Sequence, residues 1–152
     1  MNNYSWGGLV LHNNTERLDL WLSVSHFHSS VNDKLEQALL GQYDISLKEF
    51  YVLKFISSSP CKELRLQQLQ EKVGLSQSAT SRLVDRMEAP SVGALERHTC
   101  TLDRRGIYTR ITALGEQKYL QALATVNQVL NDELQRHGIL TELDHFVRQL
   151  LK

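Results

Sequence analysis

Along the first part of the chain apolar side chains recur at Leu20, Val24, Phe27, Val31, Leu35 and Leu39, in steps of three and four. That period predicts one stripe of a helix of about 25 residues, ending near Gly41. Residues 1–14 are rich in Asn and Gly, show no period, and are expected to form an arm. A second helix is predicted from Ser46. The run Ser46-Leu47-Lys48-Glu49 has the form of a capping box, in which Ser46 accepts an orphan backbone N–H and Glu49 reaches back. Its core face is Leu47, Phe50, Val52, Leu53 and Ile56, and Ser57-Ser58-Ser59-Pro60 stops it. Leu66, Leu69 and Val73 predict a short helix closed at Gly74. Ser76 then suits the N-cap of a further helix with Thr80, Leu83, Val84 and Met87 inward, ended by Ala89-Pro90-Ser91. Residues 95–99 and 107–111 are predicted strands joined by Leu102-Asp103-Arg104-Arg105-Gly106, a hairpin with Gly at its tip. Thr112 caps a long helix with Leu120, Leu123, Leu130 and Leu134 on one side. After Gly138, Thr141 opens a last amphipathic helix carrying Leu143, Phe146, Val147, Leu150 and Leu151. The predicted fold is mainly α with one small β-hairpin.

Composition narrows the class. A chain of 152 residues is expected to be one domain, 1–152. Its 41% hydrophobic and 22% charged residues exclude a disordered chain. No apolar run approaches the roughly 18 residues of a membrane span. Met1 to Val10 lacks the basic and apolar regions of a secretory signal. Cys61 and Cys100 are too few for a disulfide scaffold, so a reduced, cytoplasmic protein is expected. There is no Gly-rich phosphate loop, no nucleophile–base spacing and no metal motif, so neither an enzyme nor a cofactor is expected.

Charge changes the picture more than its total suggests. The chain is neutral, with 17 basic and 17 acidic side chains. Residues 62–110 nevertheless carry nine basic against six acidic residues, a net of +3, leaving −3 for the rest. A basic middle between acidic ends suits an anionic partner that touches only the middle, although chance clustering gives the same count.

Two helices joined through Gly74-Leu75-Ser76 lie in that basic middle and form a helix-turn-helix, whose second helix can enter a major groove. Its outer face would be Gln77, Ser78, Ser81, Arg82 and Asp85. Gln can hold adenine, Arg can hold guanine, and Ser can bond a base edge or a phosphate. Arg86, one turn beyond Arg82, would reach the DNA backbone. A solvated polar face of an ordinary helix hairpin has the same composition. The hairpin that follows favours DNA, because it would be a wing. Its tip, Asp103-Arg104-Arg105-Gly106, places two guanidiniums on a narrow projection that fits a minor groove. Asp103 would brace an Arg through a carboxylate–guanidinium pair.

The run Leu75-Ser-Gln-Ser-Ala-Thr-Ser-Arg-Leu-Val-Asp-Arg-Met-Glu88, the run Leu95-Glu-Arg-His-Thr-Cys-Thr-Leu-Asp-Arg-Arg-Gly106 and the run Ile111-Thr-Ala-Leu-Gly115 together resemble the MarR family of bacterial multiple-antibiotic-resistance-type regulators. The resemblance implies a winged helix-turn-helix homodimer, with a DNA-binding lobe over 45–115 and dimerisation helices over 1–40 and 116–152. It implies base recognition by Gln77, Ser78, Ser81 and Arg82, a backbone contact by Arg86, and a wing in which Arg104 and Arg105 meet DNA while Asp103 braces. Double-stranded DNA and a second copy of the chain are the implied partners, with a small aromatic effector that releases a repressor from a pseudo-palindromic operator. In one place the chain departs from the pattern. Ala89 to Ala94 is longer than the family's tight turn before the wing, which bears on the pitch of the wing.

Other candidates are weaker. His26 and His28 fall on opposite sides of a helix and cannot share a metal, and His12, His98, His137 and His145 have no paired spacing. Cys61 and Cys100 are either packing thiols or, in an oxidant-sensing regulator, the sensor. Trp6, Trp21 and Tyr43 either line an effector pocket or pack in the core or an interface. A winged-helix protein-interaction module without DNA binding is the remaining alternative; its mark would be apolar or acidic residues at the groove-facing positions.

Overall fold

The computed structural model describes residues 15–99 and 106–151. Helix α1 spans Glu16–Tyr43. Gly41 lies inside it rather than ending it: the left-handed residue that stops the helix is Asp44, at φ 52°, with its N–H on Leu40 O at 3.2 Å. Only the C-terminal half of the α1 stripe reaches the core. Val31, Leu35 and Leu39 are buried, Phe27 is half-buried, and Leu20 and Val24 remain 61% and 52% exposed. Helix α2, Leu47–Ser57, starts from the capping box its sequence predicts, with Ser46 accepting from Glu49 N and Glu49 accepting from Ser46 N. Its inward residues Val52, Leu53 and Ile56 are fully buried and form the centre of the core.

After a short 3-10 turn at Pro60–Lys62 comes a strand the sequence did not announce, β1, Glu63–Arg65. Three residues are too few to display a period. Helix α3, Leu66–Val73, ends at Gly74, whose φ of 67° no side chain would favour, and α4, Gln77–Glu88, follows. The strands β2, Leu95–Thr99, and β3, Ile107–Ile111, lie where they were predicted. All three strands form one antiparallel sheet in the order β1-β3-β2, with Glu63 opposite Arg110 and Arg97 opposite Thr109.

The loop from Ala89 to Ala94 is internally bonded. Val92 N and Gly93 N both donate to Ala89 O at 2.8 Å, and Ala94 N returns to Met87 O at 2.9 Å. The extra residues therefore fold back onto the end of α4, and β2 starts at once. Thr112 caps α5, Ala113–Arg136, by accepting from Gly115 N. The buried face of α5 is Gly115, Tyr119, Ala122, Val126 and Glu133, one residue round from the leucines that the sequence brings forward. Leu120 is exposed, and Leu123 and Leu130 are half-buried. Small residues win because α5 runs close against the loop at Ala94 and along α1. Helix α6, Leu140–Leu150, begins one residue before Thr141 and buries none of its residues within the chain.

Candidate nucleic-acid interface

The turn at Gly74 sets α4 against α3, and two local bonds fix its start. Ser76 Oγ accepts from Ala79 N, and Thr80 Oγ1 donates to Ser76 O at 2.9 Å. With Thr80, Val84 and Met87 buried, the helical period turns Gln77, Ser78, Arg82 and Asp85 outward, with Ser81 half-buried beside them. These five share one polar face, as the spacing predicts. Arg82 lies along the helix, its Nε 3.3 Å from Ser78 O. From α2, Lys48 donates to Val73 O at 2.9 Å and ties the end of α3 to the core helix.

Arg86 leaves that face. Its guanidinium donates to Asp44 O at 3.2 Å and stands 3.4 Å from Glu49 Oε1, a carboxylate whose side chain is only 3% exposed. Arg86 thus satisfies the end of α1 and offsets the buried charge of the α2 capping box. Removing it leaves Glu49 without its cation in a poorly hydrated place. Arg86→Ala should therefore cost about 1–2 kcal/mol, below the ~3–5 kcal/mol of a fully buried pair because Arg86 is itself half-exposed. Chemical denaturation of the variant checks this. A midpoint equal to wild type would mean that water already screens the pair.

The wing sheet carries a second polar assembly. Glu63 Oε2 accepts from Arg110 at 3.0 Å and stands 2.7 Å from His98 Nε2. The Arg110 hydrogen bond, followed by His98, holds the Glu63 carboxyl below the usual carboxylate range against an opposing effect of burial. The stability this lends the sheet is complete above the ordinary carboxylate range. It is lost progressively as pH falls through that range to the lowered value. His98 stacks on Tyr108 at 6.0 Å between ring centroids, and Tyr108 Oη accepts from Arg65 Nε at 3.0 Å. Arg97, on β2, meets Asp85 and Glu88 of α4. The sequence argument names Asp85 and His98 but none of these pairings, because contacts between separate elements leave no spacing signal.

Asp103, Arg104 and Arg105 lie outside the described residues, as do Cys100, His12 and Trp6. Cys61 is an exposed free thiol at φ 58°. Trp21 and Tyr43 sit towards opposite ends of α1, about 33 Å apart by helical rise, and do not meet in one pocket. Tyr43 Oη packs against α5 instead, donating to Gln121 O at 3.0 Å and lying 2.7 Å from Thr125 Oγ1. His26 and His137 line an open cleft of about 580 Å³ with Asp19, Ser23 and Phe27, and an apolar cleft of about 540 Å³ continues to Ile139, Leu143 and Phe146. No cluster of three metal-ligating side chains occurs among the described residues. No helix among them is long and apolar enough to cross a membrane.

A helix-turn-helix followed by an antiparallel hairpin, on a mainly helical frame, defines a winged helix-turn-helix protein. Residues 45–107 match the model of the MarR family. Solved structures share the fold over nearly the whole length. AbsC, a MarR family transcriptional regulator from Streptomyces coelicolor, superposes with TM-score 0.76 at 21% identity over 91% of this chain and 93% of its own. Sco3205 from the same organism, solved in complex with DNA, gives 0.74 at 20% identity over 92% and 90%. A mutant MarR from E. coli complexed with operator DNA gives 0.72 at 23% over 91% and 97%. No curated protein matches the sequence.

Proposed function

We propose that the chain is a sequence-specific DNA-binding transcription regulator and not an enzyme. In this reading it binds a pseudo-palindromic operator as a homodimer and is a repressor released by a small aromatic ligand. Residues 45–115 form the lobe that meets DNA, and 1–40 with 116–152 form the dimer. The observation that carries the reading is the outward face of α4, where Gln77, Ser78 and Arg82 are exposed on one side of a helix whose other side is core. Two neighbours of the same fold were solved on DNA. Gln77, Ser78, Ser81 and Arg82 read base edges. Arg86 reaches a phosphate with the donors that Asp44 and Glu49 leave over. Arg105, with Arg104 beside it and Asp103 as brace, enters the minor groove. A ligand in the clefts beside His137 would release DNA by favouring one spacing of the two lobes over another.

Selection of duplexes from a random library by the purified chain tests this, followed by affinity against salt for three variants. Arg82→Ala should weaken binding and relax preference at one position per half-site, since a bidentate base contact is worth ~1–3 kcal/mol of discrimination. Arg105→Ala should weaken binding to most sequences and lower the salt slope by roughly one unit per site. Asp103→Ala should reproduce part of that loss, whereas charge counting alone predicts tighter binding. Wild-type binding by Arg105→Ala at every salt concentration would remove the wing from the mechanism.

A further inference from the structure

Asp85 sits three residues after Arg82 and four after Ser81, on the face turned outward from α4. A bare carboxylate there would oppose a polyanion. It is not bare. Arg97 Nη1, reaching across from β2, lies 2.7 Å from Asp85 Oδ1 and 3.0 Å from Glu88 Oε2. The backbone N–H of Arg97 also donates to Glu88 Oε1 at 2.7 Å. Glu88 therefore grips both the main chain and the side chain of one strand residue, which fixes β2 along the helix as well as against it. The Arg97 side chain is 30% exposed, seated in the notch between helix and sheet. The loop from Ala89 to Ala94 closes the same junction from behind by returning Ala94 N to Met87 O.

We propose that Arg97 is a positioning residue for DNA recognition. It clamps the wing to the last turn of α4 and masks Asp85, so that helix and wing meet a duplex as one body at one pitch. It acts through Asp85 and Glu88 and does not touch DNA. A planar guanidinium suits the task because it holds two carboxylates in fixed directions, which an ammonium on a flexible stem does less well. The inference rests on the DNA-binding reading above for its functional half, while the clamp itself is a property of the free protein.

The test uses the full chain and a duplex selected by the wild type. Arg97→Gln should bind that duplex about tenfold more weakly, with an unchanged salt slope, because no phosphate contact has been lost. Adding Asp85→Asn should recover most of the affinity, because the unmasked carboxylate is then gone. Arg97→Lys, which keeps the charge and guards against a folding defect in Arg97→Gln, should fall between the two. Without DNA, amide exchange over 95–99 and 107–111 should quicken in Arg97→Gln while α2 and α5 keep their protection. A salt slope lower by about two per dimer, with no recovery from Asp85→Asn, would make Arg97 a phosphate contact and overturn the proposal. Unchanged wing exchange in Arg97→Gln would overturn the clamp. If the wild type enriches no duplex, the DNA-binding reading falls, and the exchange measurement still decides the clamp.

Discussion

Gly115→Ala should lower the thermal midpoint by roughly 6–12 °C, the equivalent of about 3 kcal/mol in a chain of this size. Gly115 is the third residue of α5 and has ordinary helical geometry, so backbone freedom does not explain it. Space does. A Cβ at Gly115 would stand 2.0 Å from Ala94 O, 2.9 Å from Ala94 C and 3.0 Å from Ala94 Cα. The obstacle is main chain and cannot rotate aside. It is also tied on every side. Ala94 O accepts from Thr112 N at 3.1 Å, Ala94 N donates to Met87 O, and Thr112 Oγ1 donates to Gly93 O at 2.7 Å. Relief requires α5 to part from the loop that leads α4 into the wing, so the packing of both neighbours suffers together. Gly41→Ala is the control. Gly41 is helical with nothing within 4 Å of its would-be Cβ, and the change should stabilise by about 0.5–1 kcal/mol. Thermal melts of the two variants decide it, and equal midpoints for Gly115→Ala and wild type would mean that the close approach is not there.

Much of the fold was legible because short-range chemistry dictated it. Ser46 with Glu49, Ser76, Gly74 and Thr112 each make the local bond or turn that their position in the sequence implies. Long-range packing was less legible. The leucine stripe of α5 does not mark its inner face, since Leu120 is exposed while Gly115 and Ala122 are buried. A pattern weighted by hydrophobic size cannot see that two backbones approach closely. The strand β1 was missed for a related reason: Leu64 is buried by pairing with β3, not by any alternation of its own.

The candidate interface divides in the same way. The outward face of α4 follows from helical period alone, so Gln77, Ser78, Ser81 and Arg82 could be named in advance. Arg86 follows the same period on paper, yet its charge turns towards Asp44 and Glu49, which come from other helices. Arg97 was invisible, because its partners Asp85 and Glu88 lie on a different element and only the folded chain brings them together. Asp103, Arg104 and Arg105 lie outside the described residues, so their assignments rest on the sequence and its resemblance to the family.

Removing residues 140–152 should abolish both dimerisation and operator binding. Helix α6 buries nothing within the chain, and Leu143, Phe146, Val147 and Leu150 all stay exposed. The N-terminal half of α1 adds Leu18, Leu20, Trp21, Leu22 and Val24, again exposed. Apolar surface on this scale is rare on a monomer and marks an interaction site. In the proposed reading a second copy is the occupant, because it would also account for an operator of two half-sites. A two-fold pair would hold its recognition helices roughly 34–36 Å apart, one turn of DNA, and so read two half-sites at once. Joining two lobes makes the second contact intramolecular, which raises avidity by about 10²–10⁴-fold over one lobe. Truncation would leave the exposed α1 stripe without the partner surface that covers it in a dimer, and should therefore give an aggregating chain. The gentler pair Phe146→Asp with Leu150→Asp leaves the core untouched, because neither side chain contributes to it. That variant should sediment as a folded monomer and bind a selected operator at least a hundredfold more weakly. A folded monomer that keeps the wild-type affinity would show that each lobe reads its operator alone, and the dimer would lose its place in the mechanism.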